Sequence, residues 1–174
     1  MIAARKLILR VIAASIYNAW AMPVVDLPDE AATVAFAARI SALAEIGDVI
    51  ALKGDLGAGK TTFARAFIRA RGGTEEVPSP TFTLVQVYEL GSAAIWHFDL
   101  YRLTSPEEVW ELGFEEALID GIILIEWPER IGALLPRERL DLTLAAGAAP
   151  QARVATLQGS AGWSARLGQV FANG

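Results

Sequence analysis

The residues with the clearest chemical capacity run from Gly54 to Thr62: Gly54-Asp55-Leu56-Gly57-Ala58-Gly59-Lys60-Thr61-Thr62. They fit the pattern G-x-x-x-x-G-K-[ST], with Gly54, Gly59, Lys60 and Thr61 at its fixed positions. The residue types explain the chemistry. Glycine backbone reaches conformations closed to other residues and brings its N–H groups close to an anion. A helix that starts at the end of the loop adds free N–H groups and the positive end of its dipole. Lys60 supplies a point charge for the β- and γ-phosphates of a nucleotide, and the Thr61 hydroxyl a ligand for Mg²⁺. A chance match in a turn would lack flanking elements of the right kind. Here Asp48-Val49-Ile50-Ala51-Leu52 predicts a buried strand before the loop, and Thr61 to about Arg71 a helix after it.

Two carboxylates stand where such a site needs them. The run Ile122-Ile123-Leu124-Ile125-Glu126-Trp127-Pro128 predicts a central strand buried on both faces and ending in Glu126. A carboxylate there is costly unless paired or on a metal. It also lies beyond the carboxyl end of a strand, where open α/β sheets bind ligands. Asp99 is the next candidate. It ends Ala94-Ile95-Trp96-His97-Phe98-Asp99, the return strand of a hairpin with Leu84–Leu90, although aspartates at strand ends are also common in turns. Trp127 either stacks on a base or packs, and packing is the default. Arg130 either reaches phosphate or pairs with Glu129 and solvent. The stretch Val77-Pro78-Ser79-Pro80-Thr81-Phe82-Thr83 is held extended by two prolines and carries three hydroxyls. It is a connecting loop, or the loop that senses a γ-phosphate in many proteins of this kind.

The elements that must position these residues follow from periodicity and punctuation. Pro28-Asp29-Glu30 opens a helix to about Ala44, with Phe36, Ile40 and Leu43 on its apolar stripe. The helix after the glycine loop buries Phe63, Phe67 and Ile68 and leaves Arg65, Arg69 and Arg71 as a solvated face. Ser105-Pro106-Glu107-Glu108 reads as a capping box, so its glutamates are structural. A short helix, Phe114 to Ile119, follows, and another lies around Ile131–Leu134. Arg139–Leu144 and Ala152–Leu157 predict a second hairpin, and Trp163 to Phe171 a last helix, none with evident chemistry. The expected fold is α/β, a three-layer domain like that of P-loop NTPases, with a central sheet mixing parallel and antiparallel strands.

Composition sets limits. In 174 residues, 53% apolar and 20% charged, there is material for one domain with a real core. A net charge of −5 argues against a free-standing nucleic-acid binder but leaves open RNA reached through a partner. The chain has no cysteine, which excludes disulfides and thiolate metal sites and fits a reducing compartment. It has no apolar span long enough for a membrane helix. Residues 1–22 carry a weak signal-peptide pattern: Arg5, Lys6 and Arg10, a short apolar run, then Ala19-Trp20-Ala21. The favoured reading is that translation starts at Met22, which makes 1–22 an extension outside a domain of residues 23–174. A peripheral ordered segment and a true signal are the alternatives.

Four motifs taken together resemble one family. Gly54–Phe63, then Ser79-Pro80-Thr81-Phe82-Thr83-Leu84-Val85, then His97-Phe98-Asp99-Leu100-Tyr101-Arg102-Leu103, then Glu126-Trp127-Pro128-Glu129-Arg130, in that order and spacing, are similar to the TsaE family. That family comprises small bacterial ATPases required for threonylcarbamoyladenosine modification of tRNA, and the likeness covers residues 24–157. It implies slow, Mg²⁺-dependent ATP hydrolysis in the cytoplasm. It implies as partners the threonylcarbamoyl transferase subunit (TsaD-like) and its inactive paralogue (TsaB-like), with tRNA reached through that complex. Carried over, the resemblance implies that Asp55, Leu56, Gly57, Ala58, Gly59, Lys60, Thr61 and Thr62 cradle ATP, with Trp127 and Arg130 nearby. Thr61 and Glu126 are the expected metal ligands, Asp99 the residue that positions the attacking water with Lys60 as its catalytic companion, and Thr81 and Thr83 the switch. The competing readings are a P-loop small-molecule kinase and a nucleotide-binding adaptor without catalysis. The lack of an insertion long enough for an arginine-bearing lid argues against the first, and the two strand-end carboxylates argue against the second.

Overall fold

An apolar run without polar interruption belongs in a strand covered on both faces, and Ile122-Ile123-Leu124-Ile125 lies there. The structure, a computed structural model, describes residues 22–74, 76–91 and 93–171, so the expected extension falls outside it except for Met22. The strands are β1 (Val24–Leu27), β2 (Val49–Lys53), β3 (Val85–Leu90), β4 (Ala93–Asp99), β5 (Gly121–Glu126), β6 (Leu140–Ala146) and β7 (Arg153–Gly159). All seven form one sheet in the order β1-β7-β6-β2-β5-β4-β3. The inner pairs β6/β2, β2/β5 and β5/β4 are parallel, and the outer pairs β1/β7, β7/β6 and β4/β3 are antiparallel. The mixed sheet is as the sequence leads one to expect.

Two apolar layers cover it. Helices α1 (Glu30–Leu43), α2 (Lys60–Ala70) and α4 (Ala161–Phe171) lie on one face. Phe36, Ile40, Phe63, Phe67, Trp163 and Leu167 pack there with Ile50, Leu52, Ile122 and Leu124. Helix α3 (Phe114–Asp120) and two 3₁₀ helices, Pro106–Leu112 and Pro128–Leu134, lie on the other. They bury Val109, Phe114, Ala117 and Ile131 against Val49, Phe98, Ile123 and Ile125. Strand alternation then decides where the polar residues point. Ile122 and Leu124 face α1 and α2, so Glu126 does too. Ile95 faces the same way, and with it His97 and Asp99. The β4/β5 register sets Asp99 directly beside Glu126.

Several local expectations need correction. Pro28 lies outside α1, and Asp29 caps it: the Ala32 N–H donates to Asp29 Oδ1 at 2.8 Å. The capping box at Ser105 and Glu108 forms, but it heads a 3₁₀ helix that yields after seven residues at Gly113. Strand β1 has no counterpart in the sequence reading, because four residues at a sheet edge with alternate ones exposed leave little signal. Only Arg69 of the expected solvated arginines is exposed. Arg65 donates to the Val77 carbonyl at 2.9 Å. Arg71 donates to the carbonyls of Ser41 and Ala44 and so ties the end of α2 to the end of α1. Among the described residues no helix is long and apolar enough to cross a membrane.

Helix α4 is docked by a fork. Arg166 donates to both oxygens of Asp48, at 2.6 and 2.7 Å, and to the Leu43 carbonyl at 2.7 Å. Its guanidinium also stacks on Trp163, 4.2 Å from the ring centroid. The hydrogen bonds to Asp48 raise the Arg166 pKa, against the opposing effect of its partial burial. Replacing Arg166 by Ala should destabilise the fold by about 1.5–3 kcal/mol, the range for hydrogen bonds to a charged group. Lys at the same position should recover only part of this, since it lacks the planar fork. Urea denaturation reads both, and an unchanged midpoint in Arg166→Ala would show that Trp163 and Leu167 dock the helix without the fork.

Candidate phosphate-binding site

The glycine loop closes between β2 and α2. Gly54 has φ +133°, and a Cβ on it would lie 2.3 Å from the Leu144 carbonyl oxygen of β6. Only glycine lets the chain pass the neighbouring strand so closely. Gly59 then caps α2, which opens at Lys60. The Lys60 side chain folds back over the loop, and its Nζ donates to the carbonyls of Gly54 at 2.6 Å and Asp55 at 2.8 Å. It also sits 3.9 Å from the centroid of the Trp127 ring. Burial pushes the Lys60 pKa down, and the carboxylates of Glu126, Glu129, Asp99 and Asp55 oppose that shift.

Thr61, one residue on, meets the end of β5. Its hydroxyl lies 2.9 and 3.0 Å from the two Glu126 carboxylate oxygens and donates to them. Glu126 is 3% exposed and takes a further contact from the fully buried His97, whose Nε2 lies 2.9 Å from Oε1. Asp99, also 3% exposed, accepts from the Thr81 hydroxyl at 2.7 Å, the Ser79 hydroxyl at 3.2 Å and the Tyr101 N–H at 3.1 Å. Ser79 and Thr81 are themselves 2.6 Å apart. The segment with two prolines thus packs its hydroxyls on the β4 carboxylate and is more than a connection.

The expected residues do not all converge. Lys60, Thr61, Thr81, Asp99, Glu126 and Trp127 come together at the carboxyl ends of β2, β4 and β5, while Asp55, Gly57 and Ala58 border a groove with β6. Thr83, expected in the switch with Thr81, is exposed, and Ser79 joins Thr81 beside Asp99. Leu56 projects from the loop at 83% exposure. Thr62 borders a separate small hollow with Thr33, Gly59 and Arg153. Arg130 is exposed and lies over the Tyr101 ring, 5.6 Å from its centroid. Trp127 neither simply packs nor lies free: it takes a left-handed turn at φ +59° and sets its ring 4.9 Å from that of Tyr101. Left-handed backbone is costly for a bulky residue and recurs at functional sites.

Two residues of the site are given no role by sequence, although the first stands at the head of the His97–Leu103 motif. One is His97. The other is Arg153 of β7, from the hairpin that reads as chemically silent. Its Nε donates to the Ala58 carbonyl at 3.0 Å and one Nη to the Gly57 carbonyl at 3.2 Å. It ties the Gly57 and Ala58 carbonyls to β7 and so braces the loop from behind. A groove of about 480 Å³ runs between the back of the loop and the β6/β7 hairpin, beside this arginine.

A cradle of this kind can take an oxyanion on Lys60 and the first N–H groups of α2. Among the described residues no group of three or more His, Asp or Glu could hold a metal alone. Mg²⁺ uses one or two protein oxygens and completes its shell with phosphates and water, so Thr61 and Glu126 fit that ion.

A glycine loop joining a buried parallel strand to a helix, with a lysine and a hydroxyl at the helix start and carboxylates on adjacent strand ends, defines a P-loop α/β domain. Residues 27–154 match the family model described as threonylcarbamoyl adenosine biosynthesis protein TsaE, and the chain belongs to that family. Similar proteins include the tRNA threonylcarbamoyladenosine biosynthesis protein TsaE of Rickettsia conorii, 51% identical over 57% of this chain and 57% of its own length. The chain therefore spans little more than half of that relative. The protein of the same name from Bacillus subtilis is 42% identical over 67% of this chain and 72% of its own. The crystal structure of Bacillus subtilis YdiB superposes with a TM-score of 0.72 at 30% identity, covering 90% of this chain and 98% of that one.

The close approach at Gly54 can be tested against ordinary left-handed strain. Gly57 has φ +79° and open space where a Cβ would go. Gly57→Ala should therefore cost about 1–2 kcal/mol from backbone strain alone. Gly54→Ala should cost more, by about 1–3 kcal/mol of overpacking against β6. Equal losses in chemical denaturation would show that β6 yields to the loop.

Proposed function

We propose that this protein is a Mg²⁺-dependent ATPase of tRNA threonylcarbamoyladenosine biosynthesis. It acts in the cytoplasm in a complex with a TsaD-like threonylcarbamoyl transferase subunit and its TsaB-like paralogue. The observation that carries the catalytic part is the meeting of Lys60, Thr61, Glu126 and Asp99 at three adjacent strand ends. The biosynthetic part rests on the family and on the names of the relatives. The negative net charge agrees with tRNA reached through partners.

In this reading the loop N–H groups and Lys60 hold the β- and γ-phosphates. Lys60 gives up its bonds to the Gly54 and Asp55 carbonyls for phosphate oxygens, and its burial strengthens the new contact. Thr61 and Glu126 hold Mg²⁺, which when bound neutralises charge on the phosphates. Asp99 orients the attacking water and accepts its proton. The Asp99 Oδ2 is taken by the Ser79 and Thr81 hydroxyls and its Oδ1 by the Tyr101 N–H alone, so release of the two hydroxyls would uncover Oδ2 and make the 79–81 segment a gate on hydrolysis. The same hydroxyls are freed to meet the γ-phosphate as they leave.

Asp99→Asn should lower ATP turnover by about 10²–10⁴-fold, the range for loss of a general base, while nucleotide still binds. Phosphate release and calorimetric titration measure the two. Undiminished turnover would remove Asp99 from the reaction. For the biosynthetic role, depleting the protein should reduce the modified adenosine at tRNA position 37, and unchanged modification would refute that role without touching the ATP site.

A further inference from the structure

His97 is the single histidine of the chain, and it is fully buried. Strand alternation turns it toward α2, on the face that carries Asp99, and its Nε2 reaches Glu126 Oε1 at 2.9 Å. Its other nitrogen, Nδ1, is buried without a hydrogen-bond partner. Those facts fix the roles of the two nitrogens. A bare Nε2 would set one lone pair against another on a carboxylate oxygen and leave an N–H at Nδ1 buried with nothing to accept it. A protonated Nε2 gives Glu126 a donor and leaves at Nδ1 only a lone pair, the cheaper group to strand.

Glu126 gains more from this than one hydrogen bond. Its oxygens are bridged by a single hydroxyl, that of Thr61. If Thr61 turned its lone pair to a cation, that donor would be lost to the carboxylate. The His97 contact would remain, because it comes from the strand side of the carboxylate and from a ring locked in the core. Partners of this kind hold ligating carboxylates in place and tune their affinity.

We propose that His97 is a positioning residue for Glu126: through Nε2–H it fixes the carboxylate plane, so that Glu126 stays presented to Mg²⁺ when Thr61 turns away. The proposal rests on the ATPase reading for its metal, but the contact itself is independent of that reading.

Two measurements test it. In protein labelled with ¹⁵N-histidine, the long-range ¹H–¹⁵N spectrum has one imidazole to assign. It should show Nε2 protonated, and a bare Nε2 would overturn the proposal. Second, calorimetric titration with a non-hydrolysable ATP analogue, with Mg²⁺ varied and with chelator, separates metal from nucleotide. His97→Leu should raise the Mg²⁺ concentration needed for half-maximal tightening by about 10–100-fold, the usual effect of removing such a partner. Binding in chelator should match wild type, and His97→Gln, which restores a donor near Nε2, should recover most of the loss. An unchanged Mg²⁺ requirement in His97→Leu would overturn the proposal. If His97→Leu fails to fold, His97→Gln with its donor kept and the wild-type spectrum still decide. If wild type binds no nucleotide at all, the ATPase reading falls instead, and the spectrum alone decides whether His97 holds Glu126.

Discussion

The site depends on a buried negative charge. Glu126 ends a strand whose every residue is out of solvent. Removing a carboxylate from water costs several kcal/mol even after the protein relaxes. The cost is offset only if partners arrive from several elements at once. The Thr61 hydroxyl comes from the start of α2, His97 from β4, and the Lys60 ammonium stands close enough to feel the charge. Each of these is held by packing that has nothing to do with chemistry: Phe63 and Phe67 seat α2, and Ile95 and Phe98 seat β4. The carboxylate therefore couples the loop, the helix and two strands. None of them can move far without stranding the charge.

Much of this arrangement was legible from residue types. The glycine loop, its strand and its helix are local features, and a single pattern with the right flanks carries them. The central strand was legible because eight consecutive positions lack a charge other than Glu126. The pairing of Asp99 with Glu126 was half legible. Each residue ends a strand, but the register that sets them side by side is a property of strands twenty-seven positions apart in the chain. The same limit hides Arg153, which acts through backbone carbonyls that no side-chain motif records. It hides Arg65 and Arg71 too, since an arginine that binds carbonyls and one that faces water look alike in sequence. The sequence also does not show which hydroxyls of the 79–83 segment reach Asp99. Around Leu84, at φ +64°, the chain turns so that Ser79 and Thr81 face Asp99 and Thr83 faces out.

Leu84 and Trp127 are the non-glycine residues of the described chain with left-handed backbone. Such conformations cost on the order of 1–3 kcal/mol each and persist only where their surroundings impose them. Both follow from the carboxylates. The Leu84 carbonyl accepts the Asp99 N–H at 2.9 Å, which anchors the aspartate backbone to the end of the hydroxyl segment. Trp127 comes directly after Glu126, and its turn swings the indole back over Lys60 instead of out along the strand. One left-handed residue thus adjoins each carboxylate's neighbourhood.

The two carboxylates differ in how they are satisfied, and the difference agrees with the roles proposed for them. Glu126 is held from within the core by His97 and bridged by a hydroxyl of the phosphate-loop helix. The hydroxyl can turn, but the buried His97 cannot leave without disturbing a packed element, which suits a fixed ligand. Asp99 is held by Ser79 and Thr81, from a segment that no regular secondary structure restrains and that runs over the surface to the exposed Phe82. Those bonds can be exchanged at little cost to the core, which suits a group that must be uncovered before it acts. A fixed carboxylate beside a releasable one is the asymmetry that the proposed hydrolysis would need if it were gated. On that proposal control would lie in the 79–82 segment, whose Phe82 is exposed.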